Sequence, residues 1–204
     1  ESITDLAAAI SDRRRKTAAE KIQTGFNDRA AFEATNAPAN TTIQKKIATA
    51  AARLTTPGIV ALTVATKMDP NFMNHSGTSD KKRFNIYAID KVADLLHGLN
   101  SGTIKNAINR CIVESLFRFQ TAGVPFTSEA AHGAASQNYK VSKDIAGLLV
   151  RHTVSPATAP TQMSSTMSAL ATLGVVKNTG SVKRPTWVLT DTPATARLKE
   201  VVKA

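Results

Sequence analysis

Side chains able to do chemistry are few and scattered along this sequence. Four histidines, His75, His97, His132 and His152, stand too far apart for zinc-ligand spacing, and the single Cys111 offers no Cys pair to complete such a site. Cys111 falls among Ile108, Ile112 and Ser115 in a helical pattern, which points to a buried structural thiol rather than a nucleophile. No glycine-rich loop ends in Gly-Lys-Ser/Thr, and no nucleophile elbow is present. Asp69 followed by Asp80-Lys81-Lys82 offers the acids and lysine of a metal-dependent nuclease. That stretch is polar and linker-like, whereas a metal site needs rigid elements to hold its ligands. Asp90 and Asp94 share a helix face, where they are expected to be solvated or to pair with neighbours such as Lys91. The expectation is a protein with no catalytic residues, no metal and no cofactor.

Charge is the stronger signal. Across 204 residues, 26 Lys and Arg face 15 Asp and Glu, a net charge of +11 and a pI near 10.0. Residues 1–100 carry 14 basic and 10 acidic side chains, residues 101–204 carry 12 and 5. An excess of this size favours a polyanionic partner, above all nucleic acid. The densest cluster is Arg13-Arg14-Arg15-Lys16, inside a helical pattern that spreads the four side chains around the helix, some toward solvent and available to phosphate.

The elements that would position these residues are mostly helices. Composition is 42% hydrophobic but only 5% aromatic, suited to packed helices. Ile3, Leu6, Ile10 and then Ala18, Ile22, Phe26 recur at helical spacing, with Ser2 placed to cap by way of Asp5. After the break at Asn36-Ala-Pro-Ala-Asn40, Thr41 or Thr42 can cap a helix with Ile43, Ile47, Ala50, Ala51 and Leu54 on its apolar face. The run from Gly58 to Ala65 reads equally as a buried strand or a short helix. Polar, turn-forming residues 69–83 form the linker candidate, dividing an N-terminal helical region, 1–78, from a C-terminal domain, 83–204. Beyond it come a helix ending before Gly98, a strong helical pattern from Ile104 to Phe119 ended by Gly123, and shorter helices at Ser128–Ala135 and from Ser142 to about His152.

The next segment carries the functional expectation. Met163, Met167, Leu170 and Leu173 fall on one helical face, and Gly174 supplies a left-handed exit. At 100° per residue, Thr161, Ser165, Ser168 and Thr172 fall opposite, short polar groups able to bond phosphates or base edges. Strand-like Val175-Val176 and Thr186-Trp-Val-Leu-Thr190 follow, joined by a turn-rich stretch and the basic pair Lys183 and Arg184, with Lys177 on the first strand. Trp187 alternates with Leu189, which puts its ring beneath the helix.

This order over residues 104–190 resembles the winged helix-turn-helix DNA-binding superfamily, by pattern rather than by a diagnostic motif. The resemblance implies that the helix before the hairpin enters the major groove and that the hairpin lies on adjacent backbone. Two features depart from the usual pattern: that helix has no Arg or Lys, and the connection from Ser142 to Thr161 is long.

The fold expected is therefore mainly α, an N-terminal helical region plus a winged-helix-like domain with a small β-hairpin. The function expected is non-enzymatic binding of nucleic acid, double-stranded DNA first, by a regulator or a replication or partition factor that forms a homo-oligomer or acts alone. Its rivals are a structural nucleoprotein that packages nucleic acid and self-assembles, and a protein-interaction adaptor. No run of about 18 apolar residues spans a membrane. The lone cysteine fits a reducing, intracellular location, cytoplasmic or nucleoid-associated. Starting at Glu1 rather than Met implies a processed or trimmed chain.

Overall fold

The computed structural model describes residues 2–75 and 83–203, and it is mainly helical. Its described elements are α1 (Ile3–Ala8), α2 (Asp12–Asn36), α3 (Thr41–Leu54), α4 (Pro57–Ala65), α5 (Ile86–Ser101), α6 (Ala107–Thr121), β1 (Phe126–Thr127), α7 (Ser128–Ala135), α8 (Lys143–Ala146), α9 (Ala159–Thr172), β2 (Val176–Asn178), β3 (Thr186–Leu189) and α10 (Pro193–Val202).

Local chemistry sets most of the helix ends. Ser2 and Asp5 form a capping box at α1, and Ser11, Asn40, Asn85, Asn106, Thr127 and Thr192 each accept a backbone N–H at the start of a helix. Glycines 102, 123 and 174 take positive φ after α5, α6 and α9, where a side chain would be strained. The ambiguous run after Pro57 is a helix, since proline at its first turn presets φ, and Ile59 to Thr63 are buried.

Three boundaries differ from the sequence expectation. Gly98 does not stop α5, which runs on to Ser101; the glycine serves close packing, because a Cβ there would meet Ile104 Cγ1 at 2.9 Å. The following helix starts at Ala107, capped by Asn106, so Ile104 is a buried residue of the connection. The helix expected from Ser142 to His152 is a single turn, Lys143–Ala146. Residues beyond it run extended and pair with the chain after α7 through Ser136 and Thr153. Arg151 holds that insertion by donating to the carbonyls of Gly133, Ser136 and Tyr139. The backbone of the extended segment finds partners outside a helix: His152 N–H donates to Ala134 O, His152 O accepts from Gln137 N–H, and Val150 N–H donates to Ser115 Oγ.

Helix α5 lies at the centre. It packs against α3 and α4 on one side and α9 and α10 on the other, with Val92, Leu95, Leu96 and Leu99 fully buried. One contiguous set of buried apolar residues extends from Ile3 to Leu198. The described part of the linker candidate contributes to it: Phe72 and Met73 sit in a buried 3₁₀ turn, and Phe72 meets Phe84 edge to face at 5.0 Å. Buried Arg29 closes the two sides of this stretch by donating to the carbonyls of Met73 (2.6 Å) and Phe84 (2.9 Å) while pairing with Glu33 at 2.7 Å. Residues 76–82, with Asp80, Lys81 and Lys82 of the nuclease-like pattern, lie outside the described residues. Of that pattern Asp69 is described, exposed and bonded to the Asn71 backbone N–H.

A small antiparallel sheet closes the C-terminal part in the order β1-β3-β2. Phe126 pairs with Trp187, and Val176, Lys177 and Asn178 pair with Leu189, Val188 and Trp187.

Candidate nucleic-acid interface

The hairpin β2–β3 carries charge of one sign. Residues 175–190 contain Lys177, Lys183 and Arg184 and no acid. All three cations are exposed, and Val182 at the tip is 95% exposed, so the tip projects from the body. Its shape is set by backbone chemistry. Asn178 Oδ1 accepts from the N–H groups of Gly180 (2.9 Å) and Thr186 (3.1 Å), and Thr179 N–H donates to Thr186 carbonyl at 2.8 Å. Gly180 is obligatory for space: a Cβ there would fall 2.3 Å from Arg184 O and 2.7 Å from Thr186 N.

Helix α9 precedes the hairpin and presents a short polar face. Thr161, Ser164 and Ser168 are exposed, while the Thr172 hydroxyl donates back to Ser168 O at 2.9 Å. Ser165 is not on that face. It is 3% exposed, a correction to the helical-wheel placement. The apolar stripe of Met163, Met167, Leu170 and Leu173 underestimates the buried arc: α5, α6 and α7 all pack against α9, and Ser165, Thr166 and Ala169 are buried as well. Toward its C-terminal end, Ser168, Ala171 and Thr172 border a groove of about 400 Å³ shared with Asp69, Phe72, His75 and Phe84.

A buried polar network fixes α9. Asn109 on α6, fully buried, accepts from Thr166 Oγ1 at 2.8 Å and donates to Asp94 Oδ2 at 2.8 Å. Asp94 Oδ1 accepts the backbone N–H groups of Lys105 (3.1 Å) and Asn106 (3.0 Å). Lys91 donates to Asn106 Oδ1 at 2.9 Å, and its burial pushes the ammonium down from 10.5 to about 8 against the opposing pull of Asp94 and Asp90. Asp94 is thus an internal bracket rather than a solvated acid, and Asp90 pairs with Lys46 at 2.6 Å instead of Lys91. The buried polar groups at the centre of α5 are legible only once α3, α4, α9 and α10 are known to pack around it.

The N-terminal basic cluster divides by role. Arg13, Arg14 and Lys16 are exposed. Arg15 is half-buried and donates to Ala8 O (3.1 Å) and Ala7 O (3.5 Å), completing the C-terminus of α1. It is a structural residue. Trp187 is also less enclosed than expected: half-buried, it lines a shallow groove with Leu116, Val124 and Phe126.

Burial raises the pKa of the Cys111 thiol and disfavours a reactive thiolate. Among the described residues, no three His, Cys, Asp or Glu side chains gather as a metal site. No single described helix is long and apolar enough to cross a membrane. No family model, curated protein or solved structure matches this chain.

Proposed function

We propose that this chain is a non-enzymatic nucleic-acid-binding protein that docks on double-stranded DNA through a winged-helix-like unit, α6 to β3. The observation that carries this reading is the projecting, acid-free hairpin with Lys177, Lys183 and Arg184, set directly after a helix with a polar face. The element order helix, strand, three helices and hairpin, with α8 an additional single turn, and the sheet order β1-β3-β2 support the winged-helix comparison. The helix α9 would lie toward the major groove with Thr161, Ser164 and Ser168, and the hairpin would follow the backbone. Since α9 has no Arg or Lys, most affinity would come from phosphate neutralisation and little from base reading. This suits a regulator or a replication or partition factor acting inside the cell, at the nucleoid or in the cytoplasm.

Titration of the full chain against random duplex, a pool of defined duplexes and single strand, at two salt concentrations, tests the reading. Duplex binding should weaken steeply with salt, at about −0.9 in log affinity per log salt for each phosphate neutralised. Binding that is unchanged by salt would refute it and favour an adaptor.

A further inference from the structure

We propose that the groove between the start of α2 and the end of α4 binds a small phosphorylated ligand of nucleotide size, separately from any nucleic acid held by the hairpin. The groove has a volume of about 440 Å³. Ligand clefts commonly measure about 300–1,000 Å³. Arg13, Arg14 and Lys21 from α2 and Lys67 from the end of α4 stand around it, all exposed, and no acidic residue lines it. Among the described residues none of these four cations makes an ion pair, although four Lys or Arg ion pairs form elsewhere. Helical spacing places them together: Arg14, Ala18 and Lys21 follow at intervals of four and three on one face of α2. Beneath the cations lies an apolar floor of Ala18, Val64, Met68 and Pro70.

Lys67 adds a separate observation. Its φ is +58°, at the position where a helix exit ordinarily takes glycine, and the exit is closed by Met68 N–H donating to Thr63 O at 3.1 Å. Glycine would be unstrained there, so a lysine at this point trades backbone ease for a cation on the rim of the groove. A recessed apolar floor ringed by four cations suits a compact molecule with an apolar portion and adjoining phosphates. ADP or ATP, with about three to four negative charges above a phosphate pKa near 6, matches this ring.

Calorimetric titration of the full chain with ADP and with pyrophosphate, at fixed ionic strength, tests the inference. ADP should bind once per chain and more tightly than pyrophosphate, because only ADP uses the floor. The pair Lys21→Gln, Lys67→Gly should weaken ADP binding at least tenfold. Its melting temperature should not fall, since glycine relieves the strained exit, so misfolding cannot account for the loss. The pair Lys183→Ala, Arg184→Ala should leave ADP binding unchanged. Absence of saturable ADP binding, or equal losses from both pairs, would overturn the proposal. So would a loss of duplex binding on changing Lys21 and Lys67 as large as that from the hairpin pair, which would make the groove part of a nucleic-acid track.

Discussion

Replacing Asn109 by alanine should destabilise the protein far more than its single uncharged side chain suggests. Asn109 is fully buried and joins three helices: it accepts from Thr166 on α9, donates to Asp94 on α5, and itself belongs to α6. Alanine leaves the Thr166 hydroxyl and one Asp94 oxygen without partners in a dry environment. Each such loss costs about 1–3 kcal/mol, and the vacated volume adds a smaller amount. Asp94 keeps its two backbone donors, which holds the total to about 3–5 kcal/mol. Thr166→Val, which removes one donor and leaves Asn109 Oδ1 unpaired, should cost about 1–2 kcal/mol. The two changes share one bond, so the double variant should lose at least about 1 kcal/mol less than the sum of the singles. Guanidinium denaturation followed by far-ultraviolet circular dichroism reads all four proteins. A loss below about 1 kcal/mol for Asn109→Ala, or strict additivity, would refute the claim that this network ties α9 to the core.

Three further outcomes follow from the same geometry. Lys91 has a folded-state pKa near 8 against an ordinary 10.5, so between these values the unfolded chain binds more protons and stability should rise with pH. Relative to Lys91→Met, the wild type should gain at most about 3 kcal/mol across that window, less as water reaches the ammonium; a flat difference in pH-dependent denaturation would contradict this. Arg29→Met should cost about 3–5 kcal/mol in the same assay, because it strands Glu33 and two carbonyls in the interior; a change within 1 kcal/mol would show the clamp to be idle. Gly180→Ala should leave global stability within about 1 kcal/mol, since the tip supports little core, yet shift the amide resonances of residues 178–186 and weaken duplex binding. Unshifted hairpin resonances would show that the turn tolerates a Cβ.

Much of the fold was legible because it rests on local signals. Helical periodicity, the Ser2 cap and the glycine exits at Gly123 and Gly174 located most helices, although Asn40 rather than Thr41 or Thr42 caps α3, and the hairpin followed from alternation and turn residues. What was not legible depended on enclosure. The stripe on α9 could not show that Ser165 is covered, because α5 and α7 arrive from distant parts of the sequence. For the same reason Asp94 read as a surface acid and Arg15 as a phosphate contact. The apparent linker contained Phe72 and Met73, whose burial depends on α2 and Phe84 rather than on neighbours in sequence. Helix α10, opening with Pro193 and burying Ala194 and Leu198, lies beyond the span of the winged-helix pattern and was not anticipated. The groove at Lys21 and Lys67 needed the meeting of two helices that sequence alone does not bring together.

The proposed hold of the hairpin cations on DNA backbone would be read in the salt dependence of one variant. Lys183→Ala, Arg184→Ala removes two exposed charges that support no core, so the fold should persist. Its affinity for all duplexes should fall alike, and the slope of log affinity against log salt should flatten by up to about two units relative to wild type. Full affinity and an unchanged slope, with the fold intact, would place any nucleic-acid interface away from the hairpin.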